Sequence, residues 1–214
     1  MLVLHYTGMR SAADALERLC DPAAKVSAHY LIDEDGGVIA LVPDELRAWH
    51  AGACWWQGRS ALNDVSLGIE LVNPGDEWGY RSFPAAQMAA RLELATALMG
   101  RWRIALDRVV GHSDIAPARK EDPGELFDWE QLARAGLCAA RPDVEPAEPN
   151  LAEAAAALAR IGYAGEAQGV PVAAALRAFQ RRWRPTCCDG ELDPATMGLA
   201  LAVAGLRADE AGTT

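Results

Sequence analysis

The sequence predicts an α/β fold, in which a mixed central β-sheet is flanked by helices and followed by a second, small three-helix all-α domain. Three observations support this prediction. Short apolar runs alternate with longer stretches of helical periodicity over residues 1–142. Three prolines between Pro142 and Asn150 then give that stretch the composition of an extended linker. Residues 151–214 contain helical patterns alone.

The strands of the first unit are predicted from short apolar segments that end at turn residues. A buried strand is expected at Leu2–Leu4, at the start of the chain. A hairpin is expected from residues 29–33 and 36–42, which flank an acidic, glycine-rich turn. Two more strands are expected at 65–72, before an Asn-Pro-Gly turn, and at 109–111.

The helices are predicted from apolar residues that recur every three or four positions. The first unit has three such segments, at 11–20, 84–104 and 128–137. Pro84 suits a first helical turn, and Asp128 suits an N-cap. The second unit has three more, at 151–161, 171–183 and 194–206, which is about the smallest helical unit that folds alone. The predicted divisions are residues 1–142, a linker at 143–150, and residues 151–214.

The composition is that of a globular protein with a substantial core. Hydrophobic residues form 51% of the 214 and charged residues 23%, which excludes a largely disordered chain. The formal net charge of −10 disfavours nucleic acid as a partner, because a phosphate backbone is bound by clustered Lys and Arg. The five cysteines form no CxxC pattern, so no zinc knuckle is indicated, and their odd number does not indicate a disulfide framework.

The start of the chain bears on where the protein works. The first residues carry neither the basic segment nor the long apolar stretch of a signal peptide. No window approaches the roughly 18 consecutive apolar residues that cross a bilayer, so no transmembrane segment is expected. As the sequence stands, these features predict a cytoplasmic protein. A periplasmic or envelope location stays open if the biological start lies upstream of Met1.

Two histidines follow predicted strands, where side chains open onto loops suited to binding or catalysis. His5 closes the first apolar run, and His112 follows the strand at 109–111. Asp122 comes ten residues after His112, in a polar segment. Two neutral imidazoles and one carboxylate form a common catalytic zinc shell with one position left open. Spacing alone does not separate this interpretation from hydrogen-bonded interior histidines and a turn aspartate.

Glu70 is the one acidic residue in an apolar strand segment at 66–72. A buried carboxylate is costly unless it is paired or used, and burial raises its pKa toward that of a general base or acid. An edge strand with Glu70 on its wet face is an equal alternative. Lys120 lies two residues before Asp122 and could stabilise an oxyanion beside a metal, or could be an exposed loop lysine.

An aromatic loop separates the predicted hairpin from the Glu70 strand. It contains Trp49, His50, Trp55 and Trp56. Tryptophan rings bind sugars and peptide stems, and they serve equally often as core or lid packing. His29 begins a strand, a position more typical of a structural histidine, or one that supports a metal ligand, than of a ligand itself.

Six segments occur in one order across residues 2–137. They are 4–7, 27–33, 49–52, 63–70, 111–117 and 119–124, with the sequences LHYT, SAHYLID, WHAG, NDVSLGIE, GHSDIAP and RKEDPG. In this order they resemble the zinc-dependent N-acetylmuramoyl-L-alanine amidases of the type-2 amidase family, bacterial peptidoglycan amidases related to peptidoglycan recognition proteins. The resemblance implies cleavage of the amide between the lactyl group of N-acetylmuramic acid and L-alanine.

The resemblance also implies roles for individual residues. His5, His112 and Asp122 would hold Zn²⁺. Glu70 matches the glutamate that activates the metal-bound water, and Lys120 matches the lysine that stabilises the tetrahedral oxyanion. A non-catalytic peptidoglycan recognition protein is the alternative function. It would lack one of these residues, and all five are present here.

Further positions match residues around the substrate cleft of the family. These are His29, His50, Asn63 and Trp49. Two departures are visible. Some relatives have a catalytic tyrosine directly before the histidine that aligns with His29, whereas this chain has Ala28, which leaves the base role to Glu70. Glu121 stands where relatives often have a small hydroxyl residue.

The second unit resembles the small peptidoglycan-binding domain of three helices that often follows such amidases. The matching stretches are residues 175–181 and 188–196. The unit would bind the wall, or it would only brace the catalytic domain. Binding of the wall favours polymeric peptidoglycan as the substrate, whereas the lack of a signal peptide favours soluble anhydro-muropeptides. Both substrates stay open, and the sequence does not identify protein partners.

Overall fold

The computed structural model describes the backbone of residues 1–211 and the side chains of residues 1–206. Its sheet has five strands: β1 (Leu2–Tyr6), β2 (Tyr30–Ile32), β3 (Val38–Ala40), β4 (Leu67–Leu71) and β5 (Val109–Gly111). The strand order is β3-β2-β4-β1-β5. Neighbouring strands are parallel, except that β3 runs antiparallel to β2. The predicted α/β class with a mixed sheet is confirmed.

The helices begin and end close to the predicted limits. The first unit has α1 (Ala12–Cys20), α2 (Gly75–Trp78), α3 (Ala85–Trp102), α4 (His112–Ile115) and α5 (Trp129–Arg134). The C-terminal unit has α6 (Leu151–Ile161), α7 (Val172–Trp183) and α8 (Pro194–Ala211). Asp128 caps α5, because its carboxylate accepts a hydrogen bond from the Gln131 N–H. Helices α2 and α4 were not predicted, since four residues are too few for a helical period to show.

Alternation along the strands assigns side chains to the two faces of the sheet. Leu4 and Ile69 belong to the apolar cluster that includes α3 and α5. Val3 and Val110 belong to a second cluster, in which Phe179 and other residues of α6–α8 take part. Strands β1 and β5 are therefore buried on both faces, and the C-terminal helices cover part of one face.

The C-terminal helices pack directly against the first unit. Residues 139–150, which connect the two, form neither helix nor strand. The backbone N–H of Gln57 donates to the carbonyl of Gly162, over 3.0 Å. The ring of Trp56 meets that of Tyr163 edge to face, with centroids 5.1 Å apart. Within the part of the chain that the structure describes, no helix combines the length and hydropathy needed to span a membrane.

Candidate functional site

The carboxyl ends of three adjacent parallel strands meet at one edge of the sheet. His5 of β1 stands in register with Glu70 of β4. His112 directly follows β5, at the first residue of α4. Val3, His5 and Glu70 belong to the same face by alternation, so the site lies beside the apolar cluster that contains the C-terminal helices. Strand β4 lies between β2 and β1, so the edge-strand alternative for Glu70 is wrong.

Three potential ligand atoms converge at this edge. His5 Nδ1 lies 2.9 Å from His112 Nδ1. Each of these nitrogens lies 3.0 Å from Asp122 Oδ2. All three residues are buried, and together they form a group that could hold a metal ion. The structure thus brings together residues that are 117 positions apart in sequence.

A chain of hydrogen bonds holds the ring proton of His5 on Nε2. This leaves the lone pair of His5 on Nδ1, the nitrogen that faces His112 and Asp122. The Ser66 hydroxyl donates to the Leu62 carbonyl over 2.6 Å, so its oxygen accepts from His50 Nε2 over 3.3 Å. His50 Nδ1 is then unprotonated and accepts from His5 Nε2 over 3.0 Å. Burial first, and the neighbouring His112 second, lower the pKa of His5 to about 4. His5 is therefore neutral at pH 7, with the lone pair on Nδ1.

His112 is oriented by the main chain of the aromatic loop. Its Nε2 donates to the Ala51 carbonyl over 3.1 Å, which leaves the Nδ1 lone pair inside the site. Arg119 donates to the same carbonyl and to that of Ala53, both over 2.9 Å, and so holds the loop in place. Two lone pairs and one carboxylate oxygen consequently face one another. A bound cation compensates such a convergence of electron-rich atoms.

A cleft of about 160 Å³ opens onto these atoms, and Tyr6, Trp49, Glu70 and Lys120 help to line it. Glu70 is half-buried as a whole, but its Oε2 is shielded from solvent and has no hydrogen-bond partner among the described residues. Burial, and then the negative charge of Asp122, raise the pKa of Glu70 well above its ordinary value, against the opposing effect of Lys120. A raised pKa of this kind suits a carboxyl to general acid–base catalysis.

Two of the four residues expected around the cleft line it directly. Trp49 is 52% exposed, and the Arg47 guanidinium lies 4.2 Å from its ring centroid. His50 reaches the cleft wall but is itself buried, and both of its ring nitrogens are used in the hydrogen-bond chain through His5 and Ser66. This geometry favours a supporting role for His50, and contact between either residue and the substrate stays a prediction.

The other two residues direct their side chains at the main chain. Asn63 Oδ1 accepts hydrogen bonds from the N–H groups of His50 and Ala51, over 3.1 and 2.8 Å. His29 Nδ1 accepts from the Gly68 N–H over 3.0 Å, and its Nε2 donates to the Leu46 carbonyl over 3.1 Å. Both arrangements favour positioning of the loop and of β4, and substrate contacts for these two residues also stay predictions.

Two supporting residues were not singled out from the sequence. Ser66 sets the direction of the hydrogen bonds through His50, and Arg119 holds the loop that receives His112. Both lie inside or beside the motifs described above. The His50 ring that Ser66 contacts and the Ala51 and Ala53 carbonyls that Arg119 contacts are brought close by the fold, so residue type and spacing carried no signal of these contacts.

Gly68 leaves the space that the His50 ring occupies. A Cβ at position 68 would lie 2.5 Å from His50 Cγ. Gly68→Ala is therefore expected to lower the free energy of unfolding by about 1–3 kcal/mol through overpacking. The matched control is Gly100→Ala in α3, where an added Cβ meets nothing within 4 Å, and an increase of about 0.5–1 kcal/mol is expected. Urea unfolding curves measure both, and equal changes in the two variants would contradict this view of Gly68.

Comparisons of the sequence identify related proteins. The profile of a family described as N-acetylmuramoyl-L-alanine amidase matches residues 1–125. The N-acetylmuramoyl-L-alanine amidase AmiD of Escherichia coli is 37% identical over 228 residues, which cover 95% of this chain and 81% of that protein. The 1,6-anhydro-N-acetylmuramyl-L-alanine amidase AmpD of Enterobacter cloacae is 45% identical over 107 residues, or 50% of this chain and 55% of that protein.

Solved structures are similar over nearly the whole chain. The complex of E. coli AmiD with the substrate anhydro-N-acetylmuramic acid-L-Ala-D-γ-Glu-L-Lys has a TM-score of 0.87 at 35% identity, and covers 96% of this chain and 88% of that one. The structure of AmpDh3 from Pseudomonas aeruginosa has a TM-score of 0.85 at 33% identity, with 96% and 91% covered. Both similarities therefore include the sheet and the C-terminal helices.

Proposed function

The chain belongs to the N-acetylmuramoyl-L-alanine amidase family, and we propose that His5, His112 and Asp122 hold a zinc ion in its active site. Amidases of this family hydrolyse the amide between the lactyl group of N-acetylmuramic acid and the L-alanine of the stem peptide. The observation that supports the zinc proposal most strongly is the convergence of two imidazole lone pairs and a carboxylate oxygen within 3.0 Å.

The donor set fits zinc in its chemistry and in its size. Nitrogen and carboxylate oxygen are usual zinc ligands, and a catalytic site keeps three protein ligands and one open position. With zinc–ligand distances of about 2.0 Å, the corners of a tetrahedral shell lie about 3.3 Å apart. The three atoms here, at 2.9 to 3.0 Å, need to separate only slightly. When bound, zinc supplies Lewis-acid chemistry, polarising a carbonyl and lowering the pKa of water to about 7.

The other residues of the cleft supply proton transfer and charge stabilisation. The raised pKa of Glu70 suits its Oε2 to take a proton from the attacking water and to deliver it to the departing L-alanine nitrogen. The Lys120 ammonium lines the same cleft and stabilises the negative charge that develops on the former carbonyl oxygen. Glu70 fills the base role without a tyrosine, since Ala28 occupies the position before His29.

The hydrogen-bond chain from His5 to Ser66 gives a prediction about metal affinity. His50→Ala removes the acceptor that holds the Nε2 proton of His5, so the Nδ1 lone pair is no longer fixed toward the metal. We expect zinc affinity to fall by about tenfold to a hundredfold, as measured by competition with a chelator. The adjacent Trp49→Ala is the control, because the Trp49 ring is exposed and is not part of the described hydrogen bonds to His5, His112 or Asp122. Equal zinc affinity in the wild-type and His50→Ala proteins would contradict the prediction.

We propose 1,6-anhydro-muropeptides as substrates. Two observations support this. The names of the AmpD relatives specify 1,6-anhydro-N-acetylmuramyl-L-alanine, and the structurally similar AmiD is known in complex with an anhydro-muramoyl tripeptide. The test compares kcat/KM for an anhydro-muramoyl tripeptide with that for the same tripeptide on reducing muramic acid, and with stem-peptide release from intact sacculi. We expect the tripeptide to be released from the anhydro-muramoyl compound with a higher kcat/KM than from the reducing one. Release from sacculi alone would contradict it.

We propose further that the C-terminal helices bind peptidoglycan. The resemblance of residues 175–181 and 188–196 to a peptidoglycan-binding domain supports this. The full chain is needed for the test, because α6–α8 share an apolar cluster with the sheet. Glu70→Gln protein is sedimented with intact sacculi while excess anhydro-muropeptide fills the catalytic cleft. Retention under this competition supports a second binding unit. Complete release would mean that the cleft alone holds the wall.

A further inference from the structure

A buried carboxylate connects the ligand helix α4 with the C-terminal unit. Asp114 lies two residues after His112, and its Oδ2 accepts a hydrogen bond from the Gly111 N–H over 2.8 Å. Arg182 of α7 donates to the same oxygen over 3.0 Å. The hydroxyl of Tyr163, which follows α6, donates to Oδ1 over 2.5 Å. Asp114 therefore joins the backbone next to His112 to two side chains of the C-terminal unit.

This contact is a charge pair shielded from water. The side chains of Arg182 and Asp114 are 5% and 1% exposed. The Arg182 guanidinium also lies over the ring of Trp129, 4.2 Å from its centroid, so its position is fixed from a second side. Removing one partner of such a pair leaves an uncompensated buried charge, which the surrounding structure must move to accommodate. Asp114 belongs to α4, the helix that begins with His112, so such a movement would include the segment that carries His112.

The neighbouring arginine reaches the other ligand-bearing segment. Arg181 Nη2 lies 2.6 Å from Glu121 Oε1, and Glu121 stands between Lys120 and Asp122 in the chain. The two segments are themselves joined, because the Ser113 N–H donates to the Asp122 carbonyl over 2.8 Å. Arg181 and Arg182, which are consecutive in α7, thus contact the two segments that follow β5 and carry Asp122 and His112.

We propose that Arg182 and Tyr163 are positioning residues for the metal site, and that they act through Asp114. They hold α4 so that His112 presents its Nδ1 to the atoms of His5 and Asp122. The C-terminal unit then contributes to the geometry of the metal site, whether or not it also binds the wall. This inference rests on the proposed zinc site.

The experiment compares two arginine variants of the full-length chain. Arg182→Met keeps an unbranched apolar stem but removes the guanidinium and the charge that Asp114 needs. Arg184→Met is the matched control, since Arg184 pairs with Asp193 inside the C-terminal unit, over 2.5 Å, and does not reach α4. Zinc dissociation constants are measured on metal-free, folded protein by chelator competition. We expect about tenfold weaker binding for Arg182→Met and less than about a twofold change for Arg184→Met.

Two further variants keep the test decisive if Arg182→Met does not fold. Tyr163→Phe keeps the ring, removes the hydroxyl that donates to Asp114, and should weaken zinc binding by about threefold. In an Asp114→Asn background the effect of Arg182→Met should shrink, because its target charge is gone. Unchanged zinc affinity in Tyr163→Phe and in any folded Arg182→Met protein would overturn the inference, as would an equal loss in Arg184→Met. Failure of the wild-type chain to bind zinc would overturn the proposed site as well.

Discussion

Replacing His112 by alanine is expected to abolish turnover and to reduce bound zinc to below roughly one tenth of the wild-type amount. The substitution removes one of three converging ligand atoms and leaves only His5 and Asp122, too few protein ligands for a stable catalytic zinc site. Metal analysis of the purified protein, and mass spectrometry of its digestion products, measure the two losses separately.

His29→Ala is the matched control for this prediction. His29 is as deeply buried as the three proposed ligands, but in the described structure its two ring nitrogens hydrogen-bond to the main chain. Its removal should lower stability and leave zinc bound at one ion per folded chain. Wild-type zinc content in the His112→Ala protein would contradict the ligand role of His112. An equal loss of zinc in both variants would show that unfolding, and not a missing ligand, caused it.

Glu70→Gln is expected to retain zinc and to lower kcat by roughly a hundredfold to ten-thousandfold. The amide keeps the shape of the side chain but cannot accept a proton from water. Zinc should be retained because Glu70 is not one of the three converging residues. Its Oε2 has no hydrogen-bond partner in the described structure, so the substitution breaks no existing contact of that atom. Single-turnover kinetics on an anhydro-muramoyl tripeptide, with metal analysis of the same sample, measure both quantities.

Glu93→Gln on the exposed side of α3 controls for the chemical change itself. It should alter neither zinc content nor kcat. A Glu70→Gln protein as active as this control would place the general base elsewhere. Loss of zinc from Glu70→Gln would show that the carboxylate holds the metal site together, and would make the loss of activity uninformative about proton transfer.

The sequence predicts most elements of the fold, because each has a local cause. The strand at Leu2–Tyr6 and that at Leu67–Leu71 are short apolar runs, and the cap at Asp128 is visible as a residue type before a helical pattern. The order of the strands has no such local signal. The strand order of the structure places Glu70 in an interior strand. The alternation of apolar and polar residues in the sequence was equally consistent with an edge strand.

The candidate site divides in the same way. His5, His112 and Asp122 could be selected from the sequence by residue type, position after strands and family resemblance, and the structure brings them together. The contacts that support them could not be selected. The bond from His50 to His5 spans 45 positions, and that from Arg182 to Asp114 spans 68. Both depend on how distant segments pack, so a single sequence carries no pattern for them.

The most direct test of the central claim is a digest by the wild-type chain with its metal counted. Purified protein is analysed for zinc and incubated with anhydro-N-acetylmuramic acid-L-Ala-D-γ-Glu-L-Lys, and the products are identified by mass spectrometry. We expect one zinc per chain and two products, anhydro-N-acetylmuramic acid and a free tripeptide that begins with L-alanine. A chelator should stop the reaction, and added zinc should restore it. Cleavage within the peptide, or none in the presence of zinc, would contradict the claim that this chain is a zinc-dependent amidase.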